Sequence, residues 1–295
     1  MLKRIKNSGK ILYFVYEIMP KINIKLLVTF ISLIFIGSSI ISNFDDLASQ
    51  TINSRKLIWL SSGIFFSFFS IIINAYAWKF LINSIGCNTN KLNLIEIFLN
   101  TNIYKYLPGG IWHLVSRYKT LRVKYSIEKS VESILLEPLL MLVAGLIFVP
   151  FGTPNIFIYI LCWSSPLLFL SGFRKVLIKK MKTIKYSIFA KGNSENYITL
   201  NQKKNNEKEN ILYPYKPLFI EILFILFRFF GFFCCVKAFY VSAIILSSKL
   251  ISSFSLAWII GLIVPAAPGG LGVFESVILF TLGSDLPEAP LLSAL

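Results

Sequence analysis

Apolar residues fall along this chain in long blocks separated by short polar clusters, and several blocks of eighteen or more residues carry almost no charge. A soluble core does not bury such blocks. A bilayer does, because about twenty helical residues at 1.5 Å each cross its roughly 30 Å of hydrocarbon. The pattern predicts helices over residues 24–41, 57–82, 131–149, 155–172 and 217–246, and the chain reads as an all-α, polytopic membrane protein with about six spanning helices. Residues 290–295 read as the first turn of a further apolar helix, so a truncated carboxyl end is expected.

Two blocks depart from this pattern. Residues 265–275 read PAAPGGLGVFE between the apolar segments 254–264 and 277–282, each too short to span alone. Pro265, Pro268, Gly269 and Gly270 break any helix there, since proline lacks the amide donor and glycine is unconstrained in φ. Residues 106–113 read YLPGGIWH, so Pro108, Gly109 and Gly110 repeat the triplet in the first half. Broken backbone at membrane depth is tolerated only where protein buries it or a polar cavity solvates it. Paired breaks in the two halves of a chain predict a transporter-like inverted repeat with its site at the breaks. The alternative is a common turn triplet that recurs by chance.

Charge then orients the helices. The formal net charge of +16, from 30 Lys and Arg against 14 Asp and Glu, raises the question of nucleic acid. The basic residues lie in connecting loops rather than on one amphipathic face, so no nucleic-acid partner is expected and the positive-inside rule accounts for them. Lys3, Arg4, Lys6, Lys10, Lys21 and Lys25 place the amino terminus in the cytoplasm, and Asp45 and Asp46 fall outside. Lys91 precedes the apolar residues 92–107, while Arg117, Lys119, Arg122, Lys124 and Lys129 follow them. Both flanks are therefore cytoplasmic, and residues 92–112 read as re-entrant; a helix lying in the interface is the alternative, which Asn100, Thr101, Asn102 and Lys105 also suit. Residues 254–283 would enter and leave from the opposite side.

Residues 173–216 form a basic cytoplasmic linker dividing a first half, 24–172, from an incomplete second half, 217–295, of one membrane domain. Eleven Lys or Arg face Glu195, Glu207 and Glu209 over residues 174–216. Lys179, Lys180, Lys182 and Lys185 sit near enough to the membrane to attract anionic lipid headgroups; a solvated topogenic loop is the alternative. Cys87, Cys162, Cys234 and Cys235 have neither disulfide nor zinc spacing, and His113 is the single histidine, so neither metal nor cofactor is expected.

Ionisable residues inside apolar blocks are the candidate chemistry, because each costs several kcal/mol unless paired or facing a wet cavity. Glu137 lies inside its block beside Pro138, which frees a carbonyl near the carboxylate; its alternative role is a structural partner for Arg117 or Arg228. Arg228 lies more than two turns into the last long helix, beyond Glu221. Arg117 and Arg228 offer planar donors suited to a phosphate, and the helix that follows Gly269 and Gly270 presents its amino end to the same group. Glu275 and Glu137 would meet a cationic or hydroxyl-bearing headgroup or carry protons, while Glu275 is equally placed to cap its own helix. His113 lines the first break or satisfies a backbone carbonyl.

The YLPGG break with a following Arg117, the acid Glu137 in the next helix and the PGGLGVFE segment together resemble the lysylphosphatidylglycerol-synthase transmembrane domain family, also called flippase-like. The resemblance runs from about residue 26 to the end, and PGGLGVFE is its sharpest part. It implies a domain that moves an aminoacylated phospholipid between leaflets while a separate soluble domain makes that lipid. Other relatives occur near glycosyltransferases and polyprenyl-linked sugar pathways. The long linker and the missing last helix depart from the family pattern, and no aminoacyltransferase domain is present, so lysyl transfer is not expected.

The expected function is translocation of a lipid or polyprenyl-phosphate-linked substrate with a charged headgroup, in the cytoplasmic (inner) membrane of a bacterium. The alternative is a membrane component of a lipid-linked glycan pathway, either an enzyme or a non-transporting anchor for glycosyltransferases. Catalysis is the less expected, because no Asp-x-Asp or nucleophile cluster exists.

Overall fold

The computed structural model describes residues 37, 41, 53–106, 112–170, 213–239, 248–264 and 272–282. Both Pro-Gly-Gly breaks, the basic linker and residues 283–295 lie outside the described residues, as does the first predicted helix apart from Gly37 and Ile41, which are helical. Among the described residues the chain is all-helical. The helices are α1 (Ser54–Ser84), α2 (Leu94–Asn102), α3 (Trp112–Leu121), α4 (Ile127–Leu146), α5 (Ile156–Trp163), α6 (Tyr215–Phe239), α7 (Ser248–Ile263) and α8 (Val273–Leu282). Three stretches are long and apolar enough to cross a membrane: α1, α4 with the turn that continues it to Gly152, and α6. Their outward faces suit hydrocarbon, since Ile64 of α1 is 72 % exposed and Phe280 of α8 is 89 % exposed.

Local chemistry sets the helix starts. Asn53 accepts the Lys56 amide at 2.9 Å ahead of α1, and Asn93 both accepts the Glu96 amide and donates to its carboxylate ahead of α2. These side chains satisfy amides that have no partner inside the helix. α5 is shorter than the pattern predicts. The apolar block 155–172 holds an eight-residue helix and then a 3₁₀ turn over Ser165–Phe169, because Pro166 supplies no amide to continue the ladder. α5 by itself is too short to span.

The longest joint lies between α1 and α6. Gly63 and Gly231 face each other so closely that a Cβ on Gly63 would stand 3.1 Å from the Gly231 carbonyl, and one on Gly231 would stand 2.5 Å from Ser67 Oγ. The sequence suggests a long helix that is tilted or kinked around Gly231, and α6 runs through that residue without a break. Its lack of a side chain serves close approach, as in other membrane helix pairs built on small residues.

Two apolar clusters organise the rest. One gathers Trp78, Leu81, Cys87, Leu94, Phe98, Leu121, Leu136, Phe169 and Leu218; the other gathers Ala144, Phe148, Phe229, Phe232, Leu250, Phe254 and Ile278. The first joins chain ends that the charge rule assigns to the cytoplasm, and the second joins ends assigned to the outside. Hydrogen bonds tie both ends. Tyr125 donates to the Asn88 carbonyl at 2.8 Å and Lys129 to the Gly86 carbonyl at 2.9 Å, which closes the α2–α3 hairpin on the side where it opened. Ser252 donates to the Val149 carbonyl, locking α7 to the turn after α4. A Cβ on Gly152 would lie 2.6 Å from Ser252 Oγ and 2.7 Å from its Cβ. Gly152→Ala is therefore expected to loosen this joint by about 1–3 kcal/mol, read as a lower unfolding temperature in detergent.

Candidate functional site

Arg117 is the residue on which the site is built. It lies in α3, which begins just after the first break, and only 1 % of it is exposed. The charge rule assigns Arg117 to a cytoplasmic flank; its side chain is nevertheless buried against α2 and α4 rather than exposed. Its guanidinium pairs with Glu137 of α4 and donates from Nε to Thr101 Oγ1 of α2 at 3.0 Å. Thr101 in turn donates to the Ile97 carbonyl at 2.7 Å, which leaves its lone pairs toward Arg117. The guanidinium also lies over the Phe98 ring at 3.8 Å and near the Trp78 ring at 5.2 Å. A planar cation enclosed by two aromatic rings, a hydroxyl and a carboxylate has its charge met on several sides.

Glu137 meets Arg117 through Oε1, while its buried Oε2 makes no hydrogen bond among the described residues. α4 runs through Pro138, whose missing amide leaves the Ile134 carbonyl without its usual donor. A second acid lies close by. Glu221 of α6 is 1 % exposed, within electrostatic reach of Glu137 and Arg117, and its Oε2 also makes no hydrogen bond among the described residues.

Lys105 and His113 bracket the first break and belong to the same cluster. Burial, then the charges of Arg228 and Arg117, push the Lys105 amine down to about 8, with Glu137 opposing them. Burial, then Arg117 and Lys105, push His113 down to about 4, so its imidazole is neutral near pH 7. Nδ1 of His113 is buried without a hydrogen-bond partner among the described residues. Arg228, on α6, stands 5.4 Å from the Trp258 ring of α7, so the cluster reaches from the α2–α3 hairpin to the second apolar group.

The structure thus brings together His113, Arg117, Glu137 and Arg228 of the residues read from the sequence. Lys105 and Glu221 are members that the sequence reading missed. Their signals were position: Lys105 stands three residues before Pro108, and Glu221 stands two helical turns before Arg228 on the same face of α6. Glu275 does something else. Its Oε2 accepts the Gly272 amide at 2.6 Å, where Gly272 has φ +83°, so the carboxylate caps the start of α8. Pro108, Gly109, Gly110, Pro268, Gly269 and Gly270 lie outside the described residues. No protein-family model matches the chain, and no curated protein matches it.

Proposed function

We propose that this chain is an integral membrane protein that carries the charged headgroup of a lipid or polyprenyl-linked substrate between the leaflets of a cytoplasmic membrane. One observation carries the reading: Lys105, Arg117 and Arg228 converge with Glu137, His113 and Glu221 inside an otherwise apolar helical body. Ionisable groups in such surroundings are costly, and three cations near one helix break suit a phosphate. The two predicted broken segments, the meeting of like-assigned chain ends and the resemblance to the flippase-like family support the same reading. On this view the amino terminus is cytoplasmic and about six helices span.

Mass spectrometry of the lipids that copurify with the full chain tests it. The wild type is expected to enrich one anionic lipid or polyprenyl-phosphate species several-fold over bulk lipid, and Arg228→Gln to lose that enrichment. Glu275→Gln is expected to keep it, because Glu275 caps its own helix. Bulk lipid in equal amounts on all three would sink the transport reading and favour an anchoring role.

A further inference from the structure

Where α1, α4 and α6 meet, Asn74 Oδ1, Trp78 Nε1, Glu137 Oε2 and Glu221 Oε2 are buried without a hydrogen-bond partner among the described residues. Asn74, on α1, is only 7 % exposed. Two fixed points set the register of α1 against α6. A Cβ on Gly63 would stand 3.2 Å from Cys235 Sγ and one on Gly231 would stand 2.5 Å from Ser67 Oγ, while farther along Trp78 and Leu218 share the first apolar cluster. The two helices therefore run antiparallel, and Asn74 and Glu221 fall between these points at nearly the same level. Asn74 lies two turns after Ser67 on the stripe of α1 that faces α6, and Glu221 lies one turn after Leu218 among the buried positions of α6. Glu137 comes to the same place from α4. Leu136 and Leu140, on either side of it, belong to the cluster of Trp78 and Leu218, and the Trp78 ring lies 5.2 Å from the Arg117 guanidinium that pairs with Glu137.

We infer that Asn74, Glu137 and Glu221 line a binding site for a monovalent alkali cation inside the helical body. Carboxylate and amide oxygens are the ligands that hard cations take. Here three such oxygens, from three helices, lack any donor. A proton on Glu221 would supply one donor among the three, whereas a metal cation meets all of them together. Charge selects a monovalent ion. Glu137 already pairs with Arg117 and has Lys105 in electrostatic reach, so the charge left to meet is the single one of Glu221. The charges that act on Glu221 from neighbouring helices are those of Glu137 and Arg117, one of each sign. The Trp78 N–H is then left to donate to a water that completes the coordination. Ionisable groups at such depth mark ion pathways as often as substrate sites. As a binding site this stands on the geometry alone; as the place where a cation gradient drives headgroup movement, it rests on the transport reading above.

The test is thermal unfolding of the full chain in detergent, at fixed pH and ionic strength, as choline chloride is replaced by sodium chloride or potassium chloride. The bound cation is expected to raise the unfolding temperature by about 3–6 °C at ten times its dissociation constant, and choline, too large for the site, to leave it unchanged. A larger rise with one of the two metal salts identifies the ion. Glu221→Gln removes the carboxylate while keeping its shape, so it should unfold in choline chloride no earlier than the wild type and lose the salt effect. Asn74→Leu keeps the volume and removes one ligand, and the salt concentration giving half the effect should rise about tenfold, the usual consequence of losing about 1.4 kcal/mol of binding. Equal unfolding temperatures of the wild type in all three salts overturn the inference without recourse to any variant. A salt effect that persists undiminished in Glu221→Gln also overturns it, because the cation then binds elsewhere. Enriched copurifying lipid with no salt effect removes the cation site and leaves the transport reading standing. A salt effect lost in Glu221→Gln, with only bulk lipid copurifying, keeps the site and removes its coupling role.

Discussion

Arg117→Met is expected to cost about 3–5 kcal/mol of stability, the usual penalty for stranding one partner of a buried ion pair. Glu137 is 4 % exposed, and without the guanidinium its carboxyl group would stay buried without the ion pair that now meets it. The substitution also removes the contacts with Phe98 and Trp78 and leaves the Thr101 hydroxyl without its donor. Unfolding temperature and monodispersity in detergent would report the loss. Glu137→Leu combined with Arg117→Met separates two meanings of the pair. A buried ion pair replaced whole by apolar residues of similar size is often neutral or stabilising, so the double variant should recover most of the stability while binding no anionic lipid. If the double variant is as unstable as Arg117→Met, the aromatic and Thr101 contacts hold Arg117 in place and the ion pair contributes little.

The second large effect concerns the joint between α1 and α6. Gly63→Leu is expected to separate the helices and lower stability by roughly 1–3 kcal/mol or more, since even one added carbon would press on the Gly231 carbonyl at 3.1 Å. A backbone oxygen on the facing helix yields only if that helix moves. Gly231→Ala meets a different obstacle, the hydroxyl end of Ser67 at 2.5 Å, with the Gly63 carbonyl behind it at 3.2 Å. Combining Gly231→Ala with Ser67→Ala should therefore recover much of the loss, whereas Gly63→Leu should not be rescued by Ser67→Ala. Thermal unfolding of the four proteins would separate a side-chain clash from a backbone clash. Equal losses in all of them would show that the seam tolerates a wider spacing than its glycines imply.

Sequence legibility differed between the fold and the site for a physical reason. Long apolar blocks are local properties, because the bilayer asks the same thing of every residue in a span. The block over residues 57–82 matches α1, the block over 131–149 falls within α4 and its continuing turn, and the block over 217–246 begins in register with α6. Pro166 was equally local, yet hydropathy averaged across it, and the predicted single helix is interrupted there. Charge counting registers which basic residues flank the apolar blocks along the chain. It does not register the burial of Arg117, because a count of loop charges carries no sign that α3 turns this side chain inward.

Glu275 and Glu137 show the same limit from the acid side. Both are carboxylates in apolar blocks close to proline, and the sequence offers each a structural and a functional role. Their neighbours decide. Gly272, three residues away, claims Glu275 for a helix start, a contact that sequence spacing already permitted. Arg117, twenty residues away on another helix, claims Glu137.

The amino-acid sequence by itself determined that the described chain is helical, where its three long apolar helices lie, and that costly charges sit within or beside them, since these follow from composition over one or two helical turns. Only the tertiary structure decided which charges meet. Lys105, His113, Arg117, Glu137, Glu221 and Arg228 come from one turn and three helices, and their convergence depends on a hairpin closing at Asn88 and Gly86 and on how closely glycine lets α6 approach α1. An electrostatic cluster is a property of distances between elements, and hydropathy along the chain carries no record of those distances.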